Sequence, residues 1–436
     1  MTIDSGWIRI LKQNCPNAFA DKIPAASKPH VVFIDGQIKL MKSEKIRTWE
    51  QFVRIQFTST VERAFSTGAR VVVLGFDNYL HVPVSKAPTQ RKRSSKVETM
   101  EFGPDSELPS IIPEAWPMAI RNRTFKSKVV RMVCTNLANQ YRDIDGGRTL
   151  VIDWMDKPCV VGAPLALPPC FDCRESKRGE CDIKAFNYAD LGPLLIISTD
   201  GDYVPMAIVQ MERARQDGKQ QQILIHRMLT KVGAQTAKRA NQTPARQYEY
   251  VNVYGLLEFV TASFRHQPEP GLAFASLVAM TGCDFTLNLP RLGPIKIWSN
   301  RHLLPGHGVS VLSLLTAMIH MYVDVYAKGL ASPQGLTARL RAVSKADASG
   351  QHEELVSIYA SLRKQVDGST RIADSMKDKL WTYDRCFAHS KNTFWTMAYW
   401  KKLELFPSPV ERDKDGSHYG YLEDKRGRVI FEGLNE

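Results

Sequence analysis

Seven carboxylates placed at recurring positions are the residues of this 436-residue chain best suited to chemistry. Asp35 closes the apolar run HVVFID, and Asp77 follows RVVVLGF. Glu180 and Asp182 stand two apart in RGECDIKAF, Asp200 and Asp202 stand two apart after PLLIIST, and Asp284 follows the apolar stretch ASLVAMTGC. Gathered in one place, such a set cannot ionise fully unaided, because each negative charge raises the pKa of its neighbours. Hard divalent cations relieve that repulsion. Mg²⁺ or Mn²⁺ takes oxygen ligands and keeps several waters, so some carboxylates bind directly and others through water. Two such ions about 4 Å apart would clamp the attacking and leaving oxygens of a phosphodiester displacement, and one would help a bound water ionise. Histidine and cysteine are not needed for that chemistry. Taken singly, each Asp can be read as the cap of a following turn or helix, and Glu180 and Asp182 as charges favoured at a helix start. Recurrence at three or four strand ends favours the shared site.

The acids are useful only if the elements bring them together. HVVFIDG, RVVVLGFDN, TLVIDW and PLLIISTDGD are short, continuous apolar runs, and QQILIHRM is a fifth. Such runs alternating with helical patterns predict βαβ units and a parallel sheet flanked by helices. The segment KIRTWEQFVRIQFTSTVERAFSTGAR has helical periodicity, with Gly68 as its expected C-terminal stop. Parallel strands put their C-terminal ends on one edge, which is where open α/β sheets bind ligands. Asp153 in VIDW lies outside the set and is read as a strand-end cap. After Asp77 the chain is long, poor in strand pattern and rich in Lys and Arg, which marks an insertion within residues 78–148. Residues 1–300 are expected to form the core, with a helix–turn–helix beginning over 272–300. Residues 301–436 are expected to be a helical C-terminal region.

Composition narrows the partners. Lys and Arg outnumber Asp and Glu by 58 to 45, a net charge of +13, and this favours a polyanion. No apolar run is long enough to span a bilayer, so the expectation is a soluble intracellular protein without a membrane partner, in nucleus or cytoplasm. Eight cysteines in a chain this long are too few for a disulfide scaffold. Cys170 and Cys173 form one tight pair, flanked by Cys159 and Cys181, with no second tight pair and no nearby histidine. They are expected to be free thiols rather than zinc ligands.

The order of the motifs resembles the flap endonuclease superfamily of 5′ nucleases, a branch of the PIN-like nucleases. The resemblance rests on FIDG, GFDN, GECD, STDGD and TGCDF in that order, on the twenty-residue step from Glu180 to Asp200, and on LGPIK after the last acid. The opening SGWIRILKQNCPNAF is similar to the start of that family. It spans roughly residues 6 to 300. It implies that Asp35, Asp77, Glu180, Asp182, Asp200, Asp202 and Asp284 hold or surround two Mg²⁺ or Mn²⁺ ions. It implies that Gly293, Pro294 and Lys296 belong to a helix–turn–helix gripping duplex DNA by its backbone, where a K⁺ ion is an open option. The basic insertion resembles the family's helical arch. Arg91, fourteen residues after Asp77, would contact the scissile phosphate, with Lys86, Lys92 and Arg93 as companions. The chain departs from the pattern in FDN, where FDG is usual, and in a longer insertion. No sliding-clamp box is visible near its C-terminus, and a monomer is expected. The implied activity is metal-dependent cleavage of flap or branched DNA. An RNA-directed 5′ nuclease of the same superfamily, of viral or cellular origin, stays open, as does a non-catalytic nucleic-acid-binding protein on this fold.

Overall fold

Three five-residue runs of β-branched and aliphatic residues set the centre of the molecule. They are β2 (Val31–Asp35), β3 (Val71–Gly75) and β4 (Thr149–Asp153), and each is buried along its whole length. Burial on both faces explains why these strands read as continuous rather than alternating apolar runs. The computed structural model describes residues 6–24, 28–41, 45–77, 107–144, 146–154, 158–168, 181–228, 248–283, 286, 289–304, 306, 308–343, 348–402, 421–423 and 429–431.

The main sheet has eight strands in the order β1-β8-β7-β6-β2-β3-β4-β5. The added strands are β1 (Phe19–Ala20), β5 (Cys159–Gly162), β6 (Leu194–Ser198), β7 (Ile223–Met228) and β8 (Tyr248–Asn252). β7, β6, β2, β3 and β4 run parallel. β8, β1 and β5 close the two sides antiparallel. The expected parallel α/β sheet flanked by helices is therefore present, and QQILIHRM is its β7. A separate hairpin pairs β9 (Tyr421–Glu423) with β10 (Val429–Phe431).

Alternate residues of each strand feed two cores. Val32, Ile34, Val72, Leu74, Leu150 and Ile152 face one layer. That layer is built from α2 (Trp49–Phe52), a π-helical stretch over Val53–Thr58, α3 (Ser59–Ser66), α4 (Trp116–Ala119) and α5 (Arg123–Gln140). The predicted helix before β3 is thus real but carries a π segment at its centre. Gly68, at φ +92°, ends it as expected. α5 buries Phe125, Val129, Val130, Val133 and Leu137 against the sheet, so this part of residues 78–148 is the crossover from β3 to β4.

Val31, Phe33, Val73, Val151 and Ile196 face the opposite layer. Its helices include α1 (Trp7–Asn14), α6 (Cys181–Phe186), α7 (Tyr203–Gln216), α8 (Val253–Ser263) and α9 (Pro270–Met280). α10 (Pro294–Ser299) follows α9 across a turn. Trp7 of α1 locks this pair: its indole N–H donates to Thr281 Oγ1 at 2.9 Å, and its ring meets Phe274 and Trp298 edge-on. On the far side, Arg227 and Glu249 form a buried ion pair at 3.0 Å that Lys12 joins, tying α1 to β7 and β8. α11 (Val311–Tyr326), α12 (Pro333–Val343), α13 (Ala348–Gly368), α14 (Asp374–Lys377) and α15 (Tyr383–Lys402) continue the layer, with α15 packed on α9 and α11. This part of 301–436 is helical as expected. Among the described residues no helix is long and apolar enough to cross a membrane.

Candidate active site

Pleating decides which strand-end residues share a face. Asp35, Gly75 and Asp153 form one row across β2, β3 and β4, since Asp35 pairs with Gly75 and Gly75 with Asp153. Ile34 pairs with Ile197, so Ser198 extends that row onto β6. All four lie at the carboxyl edge of the sheet. Gly75 is needed in the middle. A Cβ there would stand 2.3 Å from the Phe33 ring and 2.9 Å from the Cys181 sulfur. Gly36, directly after Asp35, is equally constrained, because a Cβ would meet Gly75 O at 2.7 Å and the Phe76 ring at 2.4 Å.

Asp35 is buried, at 6% exposure. Ser198 Oγ donates to its Oδ2 at 2.8 Å, Gln37 N–H donates to its Oδ1 at 3.0 Å, and Cys181 Sγ lies 3.7 Å from Oδ1. The same Ser198 oxygen accepts the Asp200 N–H at 3.1 Å, so one hydroxyl fixes the ends of β2 and β6 together. Burial is the main force pushing the Asp35 carboxyl up to about 7, and the charges of Asp77 and Asp200 push the same way. The bonds from Ser198 and Gln37 oppose the rise without cancelling it.

Asp77 lies two residues beyond β3, half-buried, and accepts the Cys181 N–H at 3.0 Å. That bond places Asp77 at the start of α6, where Asp182 occupies the first turn, as the sequence suggested. Asp200 accepts the Asp202 N–H at 3.0 Å, and Asp202 is the buried N-cap of α7 rather than a strand residue. Tyr203, the first residue of α7, aims its hydroxyl at Cys181 Sγ at 3.9 Å. Burial, reinforced by neighbouring acidic groups, raises the pKa of both Cys181 and Tyr203 well above the ordinary value. Both therefore stay neutral beside the acids.

Five of the predicted acids, Asp35, Asp77, Asp182, Asp200 and Asp202, thus belong to one edge, linked through Ser198 and the α6 start. Glu180, Asp284, Lys86, Arg91, Lys92, Arg93, Cys170 and Cys173 lie outside the described residues. Gly293 is the N-cap of α10, Pro294 its first residue, and Lys296 reaches Asp324 of α11 at 3.3 Å. The turn before it holds Arg291 at φ +66°, a left-handed conformation uncommon outside glycine.

Asp153, read from the sequence as a strand-end cap, has partners far along the chain. It is buried at the end of β4, its Oδ1 3.0 Å from Lys184 Nζ and its Oδ2 accepting from Tyr188 OH at 2.8 Å. Lys184 also donates to Phe76 O at 3.0 Å. Sequence reasoning missed Ser198, Cys181, Lys184 and Tyr188. Lys184 carried no local signal: nothing in CDIKAF separates a lysine turned inward from one turned to water.

Among the described residues no three or more His, Cys, Asp or Glu side chains are grouped at metal-holding spacing. The donor chemistry of the edge nonetheless suits a hard cation. Its carboxylates are all oxygen donors, Asp35 is crowded by like charge, and the hydrogen bonds recorded to Asp35 come from neutral groups.

No family model and no curated protein matches the chain. Among solved structures it is similar to the catalytic core of Rad2 in complex with DNA substrate. One such complex is 13% identical over 80% of this chain and 79% of that one, with a TM-score of 0.35. A second is 12% identical over 80% and 78%, with a TM-score of 0.37, and a third 11% identical over 80% and 83%, with a TM-score of 0.36.

Proposed function

We propose that this protein is a divalent-metal-dependent 5′ nuclease that hydrolyses phosphodiester bonds in flap or branched DNA. The observation that carries the proposal is Asp35. A carboxyl is buried at the carboxyl edge of a parallel sheet, beside two further acids, and held by neutral donors. A fold without a ligand there would gain stability by losing such a group. The order and identity of the sequence motifs point to the same chemistry, and the basic surplus suits a phosphate backbone.

Asp35, Asp77, Asp182, Asp200 and Asp202 would hold Mg²⁺ or Mn²⁺, with Glu180 and Asp284 completing the set. When bound, the ions supply a polarised water and offset charge on the scissile phosphate. The remaining work belongs to the chain. Ser198 fixes the relative placement of Asp35 and Asp200, and the Asp77–Cys181 bond fixes α6 against β3. Backbone groups at the Gly293–Pro294 turn would meet phosphates without reading bases. Arg91, with Lys86, Lys92 and Arg93, would guide the 5′ strand toward the edge.

The test is cleavage of matched labelled DNA flaps, RNA flaps and linear RNAs with Mg²⁺ and with chelator. Mg²⁺-dependent release of product from DNA flaps is expected. Preference for RNA would redirect the proposal to an RNA-directed nuclease, and inertness toward all three would reject it.

A further inference from the structure

We propose that Lys184 is a positioning residue that sets the spacing of Asp77 and Asp182, an inference that rests on the cation-binding role proposed above for those acids. Lys184 is fully buried. Its ammonium has three acceptors: Phe76 O at 3.0 Å, Asp153 Oδ1 at 3.0 Å and Asp153 O at 3.4 Å. Phe76 immediately precedes Asp77, and Lys184 lies two residues after Asp182 on the same helix. The Phe76 N–H returns a bond to Asp153 O at 2.8 Å, and Tyr188, beyond the end of α6, holds the other Asp153 oxygen. One ammonium, from the last turn of α6, therefore joins that helix to the ends of β3 and β4. Together with the Cys181 N–H bond to Asp77, it leaves α6 little freedom to slide along the sheet edge.

Stability alone does not explain such a group. Removing two charges from water costs several kcal/mol per ion, and well-packed apolar residues in place of a buried ion pair are often as stable or more so. Directionality does explain it. An apolar contact tolerates a shift of an ångström, whereas three bonds to one ammonium do not. Residues beyond the ligands that hold a metal site in register typically contribute about ten- to a hundredfold in metal affinity or activity. Lys184 would act in that way, without touching ion or substrate.

The test is the apolar replacement Lys184→Met/Asp153→Leu/Tyr188→Phe, which removes both buried charges together and leaves only the Phe76 carbonyl without its donor. Three readouts are taken: melting temperature, Mn²⁺ affinity by calorimetry, and single-turnover cleavage. The variant is expected to melt close to the wild type, yet to bind Mn²⁺ at least about tenfold more weakly and cleave at least about tenfold more slowly. Wild-type Mn²⁺ affinity in a folded variant would overturn the inference. Should the triple variant not fold, Tyr188→Phe removes only the bond orienting Asp153 and should still weaken Mn²⁺ binding several-fold; unchanged affinity there overturns the inference as well. If the wild type binds Mn²⁺ but cleaves no nucleic acid, the nuclease proposal falls while the positioning of the acids is still decided by the affinities. If the wild type binds no Mn²⁺, both fall.

Discussion

Two strand ends in this sheet carry the same residue at the same row, and they are treated in opposite ways. Asp35 on β2 and Asp153 on β4 are separated by Gly75 alone, roughly 10 Å apart across two strand spacings. Both are buried. Asp153 is given a cation from within the chain, Lys184, and a second donor, Tyr188. The donors recorded at Asp35 are neutral, and like charges press on it from Asp77 and Asp200. One helix makes the distinction: α6 brings Cys181 over Asp35 and Gly75, and Lys184 to Asp153. A buried carboxylate is therefore not by itself a mark of function. What marks Asp35 is that its donors are neutral while like charges press on it, which in the proposed function leaves its charge to be met by a bound cation.

The largest effect should come from removing acids on the Asp35 side. Asp182→Ala and Asp202→Ala are each expected to reduce cleavage to background while binding of flap DNA persists, because affinity comes chiefly from phosphate contacts elsewhere. Normal turnover by either variant in a single-turnover assay would break the division between the two ends. Next in size is Arg91→Ala, expected to slow the chemical step by on the order of a hundredfold, the typical loss for a group that stabilises charge only in the transition state. Lys96→Ala, further along the basic run, should leave that step nearly unchanged. Equal small effects from both would reduce the run to a solvated loop.

A smaller, pH-dependent effect sharpens the comparison. His389 in α15 and His320 in α11 are buried, and desolvation is the first cause holding each at about 4. His389 donates its Nε2–H to Met280 O at 3.0 Å. Because these folded values lie below the ordinary 6.5, the unfolded chain takes up protons first, and stability falls as pH drops from about 6.5 toward 4. Asp35 has the opposite sign. Its folded value is raised, so its contribution is favourable at low pH and is lost as pH rises through about 7. His389→Gln should flatten the acid limb of a melting-temperature profile taken in chelator and leave the alkaline limb alone. An unchanged acid limb would mean that His389 is not the group responsible.

Much of the sheet was legible because parallel strands buried on both faces are written as unbroken apolar runs, and the acids closing those runs fall at one edge by topology. Asp35, Asp77 and Asp182 stand where their motifs suggested. Asp202 does not end a strand: the glycine after Asp200 turns the chain, so Asp202 starts α7. The Lys184–Asp153 pair was not legible. Its partners lie 31 residues apart, and no local pattern distinguishes a lysine turned inward from one turned to water. The π stretch at Val53–Thr58 was hidden for a different reason, since a change of hydrogen-bond register leaves the apolar periodicity almost intact.

The most direct test of the contrast between the two ends is thermal melting of the wild type, Asp35→Asn and Asp153→Asn at about pH 8, first in chelator and then with Mg²⁺. Neutralising Asp35 should raise the melting temperature in chelator, because the ionised carboxylate costs the fold on the order of 4 kcal/mol there. Neutralising Asp153 should lower it, because breaking a buried pair from one side typically costs roughly 3–5 kcal/mol. Mg²⁺ should then stabilise the wild type most, Asp153→Asn less because the knot that positions the acids is loosened, and Asp35→Asn least. If Asp35→Asn melts below the wild type in chelator, or if all three proteins gain equally from Mg²⁺, the Asp35 end is not held for a cation.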